Sequence, residues 1–197
     1  MRKEVLYTLK GLYREDFEIE GYRFGGGEKS ACIVGAMRGN EMQQLYICSL
    51  LINALKELEA HGSITHNHEI LVIPSVNKYS MNVGKRFWAI DNIDINRTFP
   101  GDAQGDTTKQ IAAALFENVK GYNYGIQFAS FYMPGDFIPH VRMMETGYQS
   151  ASLAILSTVY ILPAFVRISF TASVVTASRP HPKELSWIRS RLSFVLT

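Results

Sequence analysis

The stretch Gly35-Ala36-Met37-Arg38-Gly39-Asn40-Glu41 holds the residue types and spacing with the most chemical potential in this chain. A carboxylate at the mouth of a helix can ligate a metal, accept a proton or complement the helix dipole. The residue three positions before Glu41 decides among these roles. A histidine at 38 would complete His-x-x-Glu, the opening of a zinc site. Arginine stands there instead; it stays protonated and has no lone pair for a metal. Further along, Asp94-Ile95-Asn96-Arg97-Thr98-Phe99-Pro100-Gly101 sets an asparagine beside an arginine, whose planar fork suits a carboxylate. Asn77 and Gly84-Lys85-Arg86 precede that segment, and Gly125-Ile126-Gln127-Phe128-Ala129-Ser130 and Pro139-His140-Val141-Arg142 follow it.

Elements of two kinds must position these residues. Residues 14–24 alternate polar and apolar, the period of a half-buried strand. Gly25-Gly26-Gly27 reads as a turn without the spacing of a phosphate loop, and Ala31 to Val34 as a short buried strand. From Glu41 to Ala60 the pattern is helical, with Ile47, Leu51, Leu55 and Leu58 on one stripe, Ala54 beside them and Gly62 placed to end it. Glu69 to Pro74 reads as another buried strand. Ser75 to Gly105 has little regular pattern, yet its Phe87, Trp88 and Phe99 argue for order, and a loop of that length in a compact domain is usually functional. Asp106 is placed to cap a second helix carrying Ile111, Leu115 and Val119, with Gly121 at its end, and Tyr124 to Phe128 forms a further strand. Strands alternating with helices imply an α/β fold around a mostly parallel sheet, with its site at the carboxyl ends of the strands. The turn at 35–41 and the loop after Pro74 both leave such ends and are expected to meet in one cleft.

At 197 residues, 47% hydrophobic and 19% charged, the chain can bury one core. A net charge of +2 with no basic stripe gives nucleic acid no footprint. Cys32 and Cys48 read as buried thiols, which together with an early-charged start suggests a cytoplasmic protein. Residues 1–150 read as one α/β domain. Residues 151–197 differ in kind: Glu184 is their one acidic residue, and Ala151 to Val166 is almost wholly apolar. Three readings of this segment stay open: strands and a helix completing the sheet, a membrane helix slightly short for its task, or a stretch not native to the fold.

Taken together, the three motifs resemble the succinylglutamate desuccinylase/aspartoacylase family of the zinc carboxypeptidase superfamily, over roughly residues 20–150. The resemblance implies a mixed, mainly parallel sheet flanked by helices, with truncation at its carboxyl end among the expectations. It also implies zinc-dependent hydrolysis of an amide bond in an N-acyl amino acid or related small carboxylate. Carried over by position, Glu41 matches a metal-ligating glutamate. Asn96 and Arg97 match a clamp for the substrate carboxylate, and Arg86 a nearby basic position. Arg38 and Ala129 stand where the other two zinc ligands belong, and Gln127 replaces an acidic residue. No glutamate after residue 150 has the setting of a general base; Glu184 lies in an arginine-flanked segment without that setting, and Glu145 comes too early.

Two functional readings follow. The chain is a hydrolase that holds its metal in an altered way, or a non-catalytic relative that binds a small anion without zinc. In the second, Arg38 replaces the metal's charge and pairs with Glu41, and Arg38, Arg86 and Arg97 line the cleft. His140 is a candidate substrate contact near the third motif. His61, His66 and His68 fall at the wrong end of the sheet and read as solvated. Tyr122, Tyr124, Phe128, Phe131 and Tyr132 read as one aromatic core cluster.

Overall fold

The computed structural model describes residues 1–11 and 15–130, together with the backbone of 140–143 and 173–178. In chain order the strands are β1 (Arg2–Leu9), β2 (Phe17–Gly25), β3 (Glu28–Ala36), β4 (His68–Ser75), β5 (Tyr124–Ala129), β6 (His140–Met143) and β7 (Ser173–Ser178). The helices are α1 (Met42–Ala60), α2 (Lys78–Asn82) and α3 (Thr107–Val119), with a 3-10 turn at Ile95–Arg97. The strands form one mixed sheet in the order β1-β2-β4-β3-β5-β7-β6. Its centre, β4-β3-β5, is parallel, whereas β1, β2 and β7 join antiparallel to their inner neighbours. Within the segment of open origin, the backbone of 173–178 thus pairs with β5, and β6 runs parallel to it. The rest of that segment, including Ala151 to Val166, lies outside the described residues. No helix among the described residues is long and apolar enough to cross a membrane.

Helices cover both faces. Cys48, Ile52 and Leu55 of α1 pack with Phe24, Ile33, Val72 and Phe128, while Ile111, Ala112, Leu115 and Phe116 of α3 pack with Cys32, Val34, Leu71 and Ile73. The continuous apolar run of β3 follows from this: Cys32, Ile33 and Val34 are buried on alternate faces. The same two-sided cover corrects the half-buried reading of the second strand, since Ile19 enters one core and Phe24 the other. The stripe expected on α1 is rotated as well. Gln44, Cys48, Ile52 and Leu55 form its buried line, and Leu58 is 45% exposed. With a polar Gln44 on the buried line, the apparent hydrophobic face is shifted by about one residue. Tyr122 and Phe128 fall in different cores and Tyr124 is exposed, so no single aromatic cluster forms among the described residues. Asp106 occupies the capping position of α3 without a side-chain cap bond.

At the amino ends of the central strands, Arg23 joins Glu4, Glu69 and Tyr122, and the Tyr122 hydroxyl donates to Glu69 Oε1 at 2.5 Å. Burial raises the Glu69 carboxyl, but the Tyr122 hydrogen bond and the Arg23 charge outweigh it and hold the group below its usual range. A carboxylate lowered in the fold stabilises fully above its unfolded value, about 4.3, and less as acid protonates it below that. Glu69→Gln is therefore expected to cost about 1–2 kcal/mol at neutral pH in urea titrations and to flatten the loss of stability below about pH 4.3. An acid limb as steep as that of the unaltered chain would contradict this role.

Candidate functional site

Parallel β4, β3 and β5 deliver three loops to one edge of the sheet. Two glycines let the loops close together. A Cβ on Gly35 would stand 2.2 Å from the Pro74 carbonyl oxygen, and one on Gly39 would stand 2.1 Å from that of Lys85. Gly39 N–H donates to the Arg86 carbonyl at 2.9 Å, and Val76 N–H to that of Ala36 at 2.8 Å. The 76–105 loop is ordered from inside by Trp88, which is buried against Phe17 and Tyr79 and donates through Nε1 to Thr107 Oγ1 at 3.1 Å.

Arg38, Glu41 and Asp94 meet beneath these loops. The Glu41 side chain is fully buried and that of Arg38 is 3% exposed. Glu41 Oε2 accepts from the backbone N–H of Met37 and of Arg38, at 2.9 and 3.1 Å. Its Oε1 accepts from Arg38 Nη1 at 3.3 Å, and from Ser130 Oγ and N–H at 3.1 and 3.4 Å. The other edge of the Arg38 guanidinium donates to Asp94 Oδ2, from Nε at 3.1 Å and from Nη2 at 2.9 Å. Asp94 Oδ1 meanwhile caps the 3-10 turn by accepting from Asn96 N–H at 3.1 Å. Arg97 approaches the same Oδ2 only to 3.7 Å, through Nε, and its side chain is 76% exposed.

The other sequence candidates gather nearby to differing degrees. Asn96 is buried, and its Oδ1 accepts weakly from Gln127 Nε2 at 3.4 Å. The Nε of Arg86, Oε1 of Gln127 and Oγ of Ser75 are buried with no hydrogen-bond partner among the described residues. His140 begins β6, and its side chain lies outside the described residues. His61, His66 and His68 lie at the opposite edge of the sheet, where Ser30 Oγ meets His68 Nδ1 at 2.8 Å. Cys32 and Cys48 are free and buried, and burial pushes both thiols up to about 12, so neither offers a thiolate.

The model of the succinylglutamate desuccinylase/aspartoacylase catalytic domain matches residues 28–131, just over half of the chain, and that span carries all three meeting loops. The chain belongs to the succinylglutamate desuccinylase/aspartoacylase family. The N-alpha-acetyl-L-2,4-diaminobutyric acid deacetylase of Halomonas elongata is 26% identical over 87 residues, 44% of this chain and 24% of that protein. A product-bound ectoine utilization protein from Ruegeria pomeroyi shares the fold, with a TM-score of 0.58 and 17% identity over 88% of this chain and 58% of its own. So does a succinylglutamate desuccinylase/aspartoacylase from Rhodobacter sphaeroides, with a TM-score of 0.57 and 16% identity over 88% of this chain and 56% of its own. The chain thus spans little more than half the length of these solved relatives, and about a quarter of the deacetylase.

The family resemblance implies zinc, and the residues present do not fit it. Glu41, the expected metal ligand, accepts five donors from the protein itself, more than the roughly four lone-pair directions of a carboxylate supply. One of them is a guanidinium, a fixed cation where a metal would need open space. Ala129 brings no donor atom, and no three His, Cys, Asp or Glu side chains converge among the described residues. The structure also alters the anion-cleft expectation, because the Arg38 charge is spent internally and is not offered to a ligand. Sequence reading gave no role to Asp94 and none to Ser130. Asp94 was legible in principle, since a buried arginine has donors on two edges to satisfy and the next motif begins with a carboxylate.

Removing the cation alone would strand two buried carboxylates. Arg38→Met is expected to destabilise by about 3–5 kcal/mol in urea unfolding, and adding Glu41→Gln with Asp94→Asn to recover most of it. Equal stability of Arg38→Met and the unaltered chain would show that the triad does not form.

Proposed function

We propose that the chain uses its family's cleft to bind a small carboxylate, an N-acyl amino acid or close relative, without zinc and without hydrolysing it. One observation carries this reading: Arg38 lies between Glu41 and Asp94 and occupies them both. Arg38 is then the built-in replacement for the metal's charge, and the zinc-activated water of amide hydrolysis has no counterpart. What remains suits recognition. Arg97 is held at its base by the 3-10 turn and presents its fork at the exposed rim. Asn96 is buried within that turn, and Arg86, whose carbonyl accepts from Gly39 N–H, brings a further cation close to it. The deacetylase relative is named for an acetylated amino acid, which supports this ligand class.

A second reading, a hydrolase holding its metal in an altered way, is favoured by the match to a catalytic-domain model. Calorimetry with N-acetyl amino acids, run beside an assay for released amine, separates the two. Binding without turnover is expected, and Arg97→Ala should weaken it by roughly 10–100-fold, the loss of a charge-assisted contact of about 1.5–3 kcal/mol. Turnover that a chelator abolishes would overturn the metal-free reading.

A further inference from the structure

We infer that Asp94 is a positioning residue that competes with the ligand for Arg97, and that Arg38 sets how weakly it competes. This rests on the metal-free binding reading. Asp94 Oδ2 faces two guanidinium groups on unequal terms. Arg38 holds it by two hydrogen bonds, at 3.1 and 2.9 Å, with both partners nearly buried. Arg97 reaches it by one edge only, at 3.7 Å, and lies mostly in solvent. A carboxylate oxygen committed to a buried bidentate partner has little left for a second cation, and an exposed, loose ion pair contributes little. Arg97 is thereby kept near Asp94, oriented but not consumed. An incoming carboxylate can take both of its terminal nitrogens in a fork that Asp94 does not offer.

The geometry makes opposite demands of two substitutions. Asp94→Asn removes the competing charge, leaves Arg38 paired with Glu41, and keeps one oxygen, which can serve either the Asn96 N–H or the Arg38 edge. It should tighten binding of N-acetylglycine by roughly 3–10-fold. Arg38→Lys keeps the buried cation but gives up the bidentate hold, so Asp94 turns its charge toward Arg97. Binding should weaken by a similar factor. Both are read by calorimetry at low salt. The Arg97 Nε–Hε resonance of the ligand-free protein supplies a readout that a merely structural role for Asp94 would not move. It should shift toward a solvated side chain in Asp94→Asn and become more strongly paired in Arg38→Lys.

If either substitution fails to fold, the other still decides, because each has its own expected direction. Unchanged affinity in a folded variant, or an Arg97 resonance indifferent to both changes, overturns the inference. If the unaltered chain binds no N-acetylglycine, the binding reading fails by itself. The resonance then still reports whether Asp94 holds Arg97: a shift upholds that link and its absence overturns it.

Discussion

A guanidinium clamped between two buried carboxylates is the interaction on which the site depends. Arg38 joins the turn after β3 to the loop after β4, and Glu41 carries the link on to Ser130 after β5. Such a cluster is costly to bury, and its attraction offsets the desolvation only when the remaining donors and acceptors are satisfied. Here they are. Each Glu41 oxygen has backbone or hydroxyl donors besides arginine, and Asp94 divides its oxygens between Arg38 and the turn it caps. A divalent ion could also tie three loops together, but it would exchange with solvent and leave a coordination position open. A guanidinium does neither, because each of its three nitrogens already donates to a carboxylate and it is tethered to the chain.

The sheet makes this meeting possible. Parallel neighbours send their carboxyl ends to the same edge, so loops far apart in sequence arrive side by side. Gly35 and Gly39 allow the backbones to approach where a Cβ would collide with a carbonyl oxygen. Trp88 holds the longest of the loops from beneath, so the Asp94–Arg97 segment is presented by an anchored scaffold. The recognition role proposed for Arg97 depends on that rigidity, since an arginine on a loose loop would lose more entropy on binding.

Much of this was legible in the sequence, for physical reasons. Ala31 to Val34 had to be a covered central strand, because a continuous apolar run suits no half-exposed one. Glycine at 62 marked the end of α1, and its φ of 71° explains why glycine stands there. The edge strand β1 gave no clear signal. The short helix α2 was hidden in the long loop because its cap, Asn77, precedes only one helical turn. The buried line of α1 was misplaced because Gln44 does not read as a core residue, yet tertiary packing puts it there. Within the site, Arg38, Glu41, Asn96 and Arg97 were visible as motif positions. The pairing of Arg38 with Glu41 was legible too, but the rest of the wiring was not. A motif shows that Arg38 cannot hold a metal, but the partner that satisfies its second edge is Asp94, and only the loop geometry brings the two together.

A fixed cation, Arg38, stands where the family resemblance puts a zinc ligand. The most direct test of this is the metal content of the purified protein, measured by inductively coupled plasma mass spectrometry after equilibration with zinc and removal of the excess. Well under one zinc per chain is expected, unchanged by Glu41→Ala. One zinc per chain, lost in Glu41→Ala, would contradict it.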